Sequence, residues 1–195
     1  MGHCAINGNG HSINVANGEM IVASASDLTL FSVKLSSISG SKIRCQDDTS
    51  KLILQDAMWT QDGSTTFTSG ALLFMNKVTM GGNATFAYQS SQTSTVLAES
   101  ILQLDEDFTF SYDPIVVASK QLFAFEDETS VLCLNGGSLH ATTTGLVLTN
   151  GCLFVQENSF ISSEVVQTDV FNYDQGITFG DEIAGHALIL AKQPS

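Results

Sequence analysis

Carboxylates are the side chains best placed to do chemistry in this sequence. Gln46-Asp47-Asp48, preceded by Cys45, sets two acids side by side. Two carboxylates at one site can serve as acid and base, or acid and nucleophile, in glycoside hydrolysis. Two further acidic runs follow, Asp105-Glu106-Asp107 and Glu126-Asp127-Glu128. Asp105, Asp107 and Asp127 are the candidates for a weak calcium site, because hard cations take oxygen ligands. A lyase site would also need a cationic base, and Lys120 is the only one near them.

Other nucleophilic and metal chemistry has little to work with. His3, His11, His140 and His186 are scattered, no Gly-x-Ser-x-Gly elbow occurs, and His140 follows Leu139 as an outward strand residue would. Cys4, Cys45, Cys133 and Cys152 have no Cys-x-x-Cys spacing, so no zinc site is expected. They read as free, small, buried hydrophobes. Trp59, Tyr88, Tyr112 and Tyr173 would offer sugar-stacking platforms if exposed. Ser64-Thr65-Thr66-Phe67-Thr68 and Ala141-Thr142-Thr143-Thr144-Gly145 are hydroxyl clusters, but neither repeats at a fixed spacing as a water-ordering array would. Asn83-Ala84-Thr85 is a glycosylation sequon in a secretory setting.

The elements that must position these residues are strands. The chain has 195 residues, enough for one domain over 1–195, and that domain can equally be a stretch of a longer chain. Short alternating runs such as Ile13-Asn14-Val15, Leu52-Ile53-Leu54, Phe108-Thr109-Phe110 and Leu132-Cys133-Leu134 are separated by Asn-Gly, Asp-Gly and Gly-Gly pairs. Helical spacing is nearly absent. A Leu-x-Leu or Leu-x-Phe beginning recurs at Leu28, Leu52, Leu72, Leu102, Leu132 and Leu146, which predicts a coiled solenoid of roughly 20–30 residues per coil. An antiparallel β-sandwich is the alternative, favoured by the many Asn-Gly turns. The polar stretch 89–99 and the segment 111–121 read as loops leaving the coil. Cys133 and Cys152 are separated by nearly one coil, which would put them on neighbouring strands, more as a free pair than a disulfide.

On the Leu-x-Leu recurrence and the opening Ile6-Asn7-Gly8-Asn9-Gly10-His11-Ser12-Ile13-Asn14-Val15, the chain resembles the right-handed parallel β-helix, or pectin-lyase-like, superfamily. Cys45-Gln46-Asp47-Asp48 is similar to the aspartate-pair motif of its polygalacturonase-type hydrolases. That family's Asn-Thr-Asp, Gly-His-Gly and Arg-Ile-Lys motifs have no counterpart, since Asp27 is the nearest upstream acid and Gly185-His186 is followed by Ala187. The resemblance implies a solenoid like the passenger stalks of secreted bacterial adhesins, with a hydrolase or lyase of the β-helix type as the alternative. The calcium-binding Gly-Gly-x-Gly-x-Asp repeat is absent.

A formal charge of −13, with Arg44 as the sole arginine, disfavours nucleic acids and anionic membranes as partners. The expected function is therefore a non-catalytic structural or adhesive surface module, extracellular or at the cell surface. It would have no cofactor beyond weak calcium, and a carbohydrate or protein ligand. Lateral or end-to-end self-assembly is a further expectation, since Ala187-Leu188-Ile189-Leu190 ends without an evident polar cap.

Overall fold

The computed structural model describes residues 2–115, 122–143, 146–148, 150–164, 177–179 and 187–190. All secondary-structure elements among them are strands, and every registered pair of strands is parallel. The chain winds as a parallel β-solenoid of about six turns. The antiparallel sandwich is thereby excluded. The Asn-Gly pairs that suggested hairpins instead turn corners. Asn9, Gly10 and Gly136 have positive φ, which a solenoid corner requires as much as a hairpin does.

Three walls alternate along the chain. The first stacks Gly2–Asn7, Ser26–Phe31, the beginnings of Lys51–Phe67 and Ala71–Gly81, Ser94–Val96 and Phe123–Phe125. The second stacks Ser12–Asn14, the beginning of Lys34–Gly40, the middle of Lys51–Phe67, the end of Ala71–Gly81, Ile101–Asp105, Val131–Asn135, Cys152–Val155 and Ala187–Leu190. The third stacks the end of Lys51–Phe67 on Ala84–Tyr88, Phe108–Tyr112, Ser138–Ala141 and Phe160–Ser163. Lys51–Phe67 is thus one strand that runs through all three walls.

Alternation decides which side chains enter the core. In Lys51–Phe67, Leu52, Leu54, Ala57, Trp59, Gln61, Thr65 and Phe67 are buried, and the residues between them are partly or fully exposed. Successive coils repeat this in register, giving ladders such as Leu30–Leu54–Phe74 and Leu35–Trp59–Met80–Leu104–Leu134. Leu30, Leu54, Leu104, Phe110, Leu134 and Leu148 are all core residues, as the pattern predicts. Aromatic rings continue the column: Phe67 lies 6.2 Å from Phe86, Phe86 5.4 Å from Phe110, and Phe110 5.1 Å from Phe123.

The leucine spacing mixes two walls. Leu28, Leu52 and Leu72 are stacked neighbours on the first wall. Leu102 belongs to the second wall, where it faces Val78 and Leu132. The interval from Leu72 to Leu102 is therefore a coil plus a corner, whereas Leu102 to Leu132 is one long coil. In sequence its surplus falls between Tyr112 and Leu122, where Pro114 is buried and Ile115 is exposed; 116–121 lie outside the described residues.

Segment 89–99 is a correction. It forms a corner and a strand within the solenoid and does not protrude. Ser94 and Val96 are buried, and buried Ser90 donates to the Gly70 carbonyl at 2.6 Å. Ser90 and Ser94 hydrogen-bond backbone groups of the neighbouring coil, so a polar composition here marks a buried corner. Trp59, Tyr88 and Tyr112 are also corrections: all are buried, with Tyr88 fully covered, and offer no stacking platform. Tyr173 lies outside the described residues.

Corner glycines fix how tightly coils can approach. Gly82 has φ of 104°, and a Cβ there would come within 2.1 Å of the Gln61 carbonyl oxygen.

Phe110→Ala should destabilise the protein by about 3–5 kcal/mol in guanidinium denaturation, because it empties the centre of the ring column. Thr109→Ala, one residue away and facing outward, should stay within about 0.5 kcal/mol.

Candidate functional site

The acidic pair lies at the corner between Ile43–Cys45, a short strand that pairs in parallel with Met20–Val22, and the first-wall beginning of Lys51–Phe67. Asp47 Oδ1 accepts from the Thr49 amide at 2.9 Å, the Thr49 hydroxyl at 2.6 Å and the Ser50 hydroxyl at 3.2 Å. Thr49 Oγ1 in turn accepts from the Ala25 amide of the preceding coil at 2.7 Å. Asp48 reaches the other way: Oδ1 accepts from the Gly70 amide at 3.2 Å and Oδ2 from the Ser91 hydroxyl at 2.7 Å. The two carboxylates therefore point to different coils and tie the corner together. Hydroxyls of Ser24 and Thr49 and the Thr49 amide hold the Asp47 carboxyl down at about 2. Beside them the Cys45 thiol is pushed up to about 12, first by burial and then by the charges of Asp47 and Asp48. It is a poor thiolate, and so a poor nucleophile.

The same device recurs at another corner. Cys45-Gln46-Asp47-Asp48-Thr49-Ser50 has its counterpart in Phe125-Glu126-Asp127-Glu128-Thr129-Ser130. Asp127 Oδ1 accepts from the Thr129 amide at 2.8 Å and hydroxyl at 2.6 Å, and Thr129 Oγ1 accepts from the Glu99 amide at 2.6 Å. These bonds lower the Asp127 carboxyl as well. Ser50 and Ser130 complete the parallel by donating back to the Ala23 and Leu97 carbonyls at 2.9 and 3.0 Å. Asp-x-Thr-Ser occurs at both corners, and that repetition is the sequence signal by which the shared device could be found.

The calcium candidates do not gather. Asp127 precedes the strand Val131–Asn135, whereas Asp105 is the register partner of Asn135 at its far end. Asp105 and Asp107 therefore occupy the next corner, and the two acidic runs do not stack. The reason is that their spacing falls short of the long coil in which they lie. Asp105 Oδ1 accepts from Gln103 Nε2 at 2.6 Å and Asn135 Nδ2 at 2.9 Å. Asp107 is an exposed turn residue with φ of 64°. Among the described residues, no group of three His, Cys, Asp or Glu is placed to hold a metal ion. This corner does form an open polar cleft of about 460 Å³, lined by Asp105, Glu106, Asn135, Gln156 and Glu157 among others.

The arrangement that spacing missed is on the outer face of the third wall. His140 Nδ1 lies 2.8 Å from Ser162 Oγ, and Nε2 lies 3.4 Å from Glu164 Oε1. Ser162 is the register partner of His140 one coil on, so only the alignment of coils reveals the contact. His140 does face outward, as its strand position predicts. At the other end Asp27 lies 3.1 Å from His3 Nδ1.

All four cysteines are free. Cys133 and Cys152 do lie on adjacent strands, but two residues out of register: Cys152 faces Val131 and Cys133 faces Phe154. Cys4 is exposed rather than buried, because its strand has a neighbour on one side only among the described residues. Of the hydroxyl clusters, Thr65 and Phe67 point inward, while Thr142 donates to Asp113. Thr144, His186 and Lys120 lie outside the described residues. No protein-family model, curated protein or solved structure matches this chain.

Asp47 makes a pH prediction. Folding lowers its pKa from the ordinary 3.8 to about 2, so its charged cap stabilises the fold above pH 4, and that contribution disappears as the pH falls through about 2. The melting temperature should drop over this window, and Asp47→Asn should show a lower starting value and a shallower drop.

Proposed function

We propose that this chain is a non-catalytic structural or adhesive surface module, of the kind the pectin-lyase-like resemblance suggests for secreted passenger solenoids. One observation carries the reading. The carboxylates closest to catalytic spacing, Asp47 and Asp48, are both committed to holding coils together: Asp48 accepts from Gly70 and Ser91 of later coils, and Asp47 braces Thr49, whose hydroxyl oxygen accepts from the Ala25 amide of the preceding coil. Those bonds favour rigidity over proton transfer, since a carboxyl held at about 2 is a weak base near neutral pH. Part of the outer face of the third wall carries small, uncharged side chains. Thr85 and Thr109 continue into Ser138, whereas Thr66 and Ala87 lead through the buried Ser111 to His140. The Thr85–Thr109–Ser138 column of small side chains supports contact with an extended carbohydrate or protein surface. An extracellular or cell-surface location belongs to the same proposal.

A second reading rests on Ser162, His140 and Glu164, which have the connectivity of a nucleophile, a base and its orienting acid. In acyl transfer, Ser162 Oγ would bond to an ester carbonyl carbon as its proton passes to His140. The ester C–O bond then breaks, the alcohol leaves with that proton, and water releases the acid.

A panel of neutral, acidic and O-acetylated polysaccharides, incubated with calcium and with chelator, separates the readings. The module reading predicts neither chain cleavage nor acetate release. Chain cleavage lost in Asp47→Asn or Asp48→Asn would make the protein a β-helix hydrolase, and calcium-dependent cleavage a lyase. Acetate release lost in both Ser162→Ala and His140→Ala would establish the acyl-transfer reading.

A further inference from the structure

Three side chains inside the solenoid carry polar atoms that find no hydrogen-bond partner among the described residues: Trp59 Nε1, both ends of the Gln61 amide and Thr65 Oγ1. Their residues are only 1%, 3% and 1% exposed. All three belong to Lys51–Phe67, where it turns from the second wall into the third. Trp59 and Thr65 share a neighbour. Trp59 meets Phe86 edge-on at 5.9 Å, and Phe86 is the register partner of Thr65. The corner is also wider than the one before it: Gln61 and Thr65 are register partners of Ile38 and Gly40, so the later coil carries two more residues between the same two rungs.

Each buried polar group left unpaired bears its full desolvation penalty, and three such residues together would rival the whole stability of a small domain. We propose that this corner of the core is an internal water site, in which about one or two ordered waters are bound by Trp59, Gln61 and Thr65. The chemistry of the donor set selects the ligand. The indole N–H can only donate, the Gln61 amide donates and accepts, and the Thr65 hydroxyl does both. A cation would be repelled by the indole and amide hydrogens, and an anion by the amide oxygen. Water accepts from the first and donates to the second. The near-complete burial of all three residues rules out exchange of a larger solute through this wall.

Trp59 is the only tryptophan, so its indole N–H gives one resolved signal and one fluorescence band. The test is cross-relaxation between that proton and water in the unaltered protein, measured in the laboratory and rotating frames to separate contact from exchange. The proposal predicts a through-space contact with long-lived water. It also predicts that Gln61→Met with Thr65→Val abolishes the contact and moves the emission to shorter wavelength. Absence of the contact in the unaltered protein overturns the proposal, even if the variant fails to fold. A contact that persists unchanged in a folded variant overturns the assignment to Gln61 and Thr65.

Discussion

The parallel, in-register backbone ladder is the constraint on which everything else rests. Each coil must offer its amides and carbonyls at the height where the next coil needs them, and side chains must repeat their inward or outward sense at every rung. A slip of one residue would turn Leu52, Leu54 and Phe67 to solvent and bring their polar neighbours inside. Coil length can vary only at the corners, where residues can be added without disturbing the walls. The extra residues between Gln61 and Thr65 are added there.

Corners carry the compensating chemistry. A chain that turns has backbone groups no wall can satisfy, and short polar side chains answer them. Asp47 with Thr49 and Asp127 with Thr129 each reach one amide of the preceding coil, while Ser50 and Ser130 reach a carbonyl. Acidic and hydroxyl residues that look like solvated decoration in the sequence are thus fasteners between coils. That use competes with catalysis, because a carboxylate held by several donors is stabilised as the anion.

Much of the fold was legible from alternation and loose recurrence. Leu30, Leu54, Leu104 and Leu134 declare themselves as core by period alone. The period could not say which wall a leucine belongs to, so Leu72 and Leu102 looked like successive rungs when they lie on different walls. Polarity misled at 89–99, where Ser90 and Ser94 are polar because they bond a corner and not because they meet solvent. The candidate site was the least legible. His140, Ser162 and Glu164 are brought together only by coil register, and no spacing rule finds a pair that depends on the length of an intervening corner. Trp59, Gln61 and Thr65 share that difficulty, since two polar residues at inward positions look like breaks in the pattern rather than members of it.

Disulfide trapping tests the register most directly. Thr109 and Ser138 are partners on adjacent strands of the third wall, whereas His140 lies two positions beyond. Stacked strands hold partner residues about 4.8 Å apart, inside the range a disulfide spans. In-register stacking predicts that Thr109→Cys with Ser138→Cys forms an internal disulfide under mild oxidation, identified by peptide mapping, and that Thr109→Cys with His140→Cys does not. Efficient bonding of the second pair with none in the first would contradict the register and the solenoid built upon it.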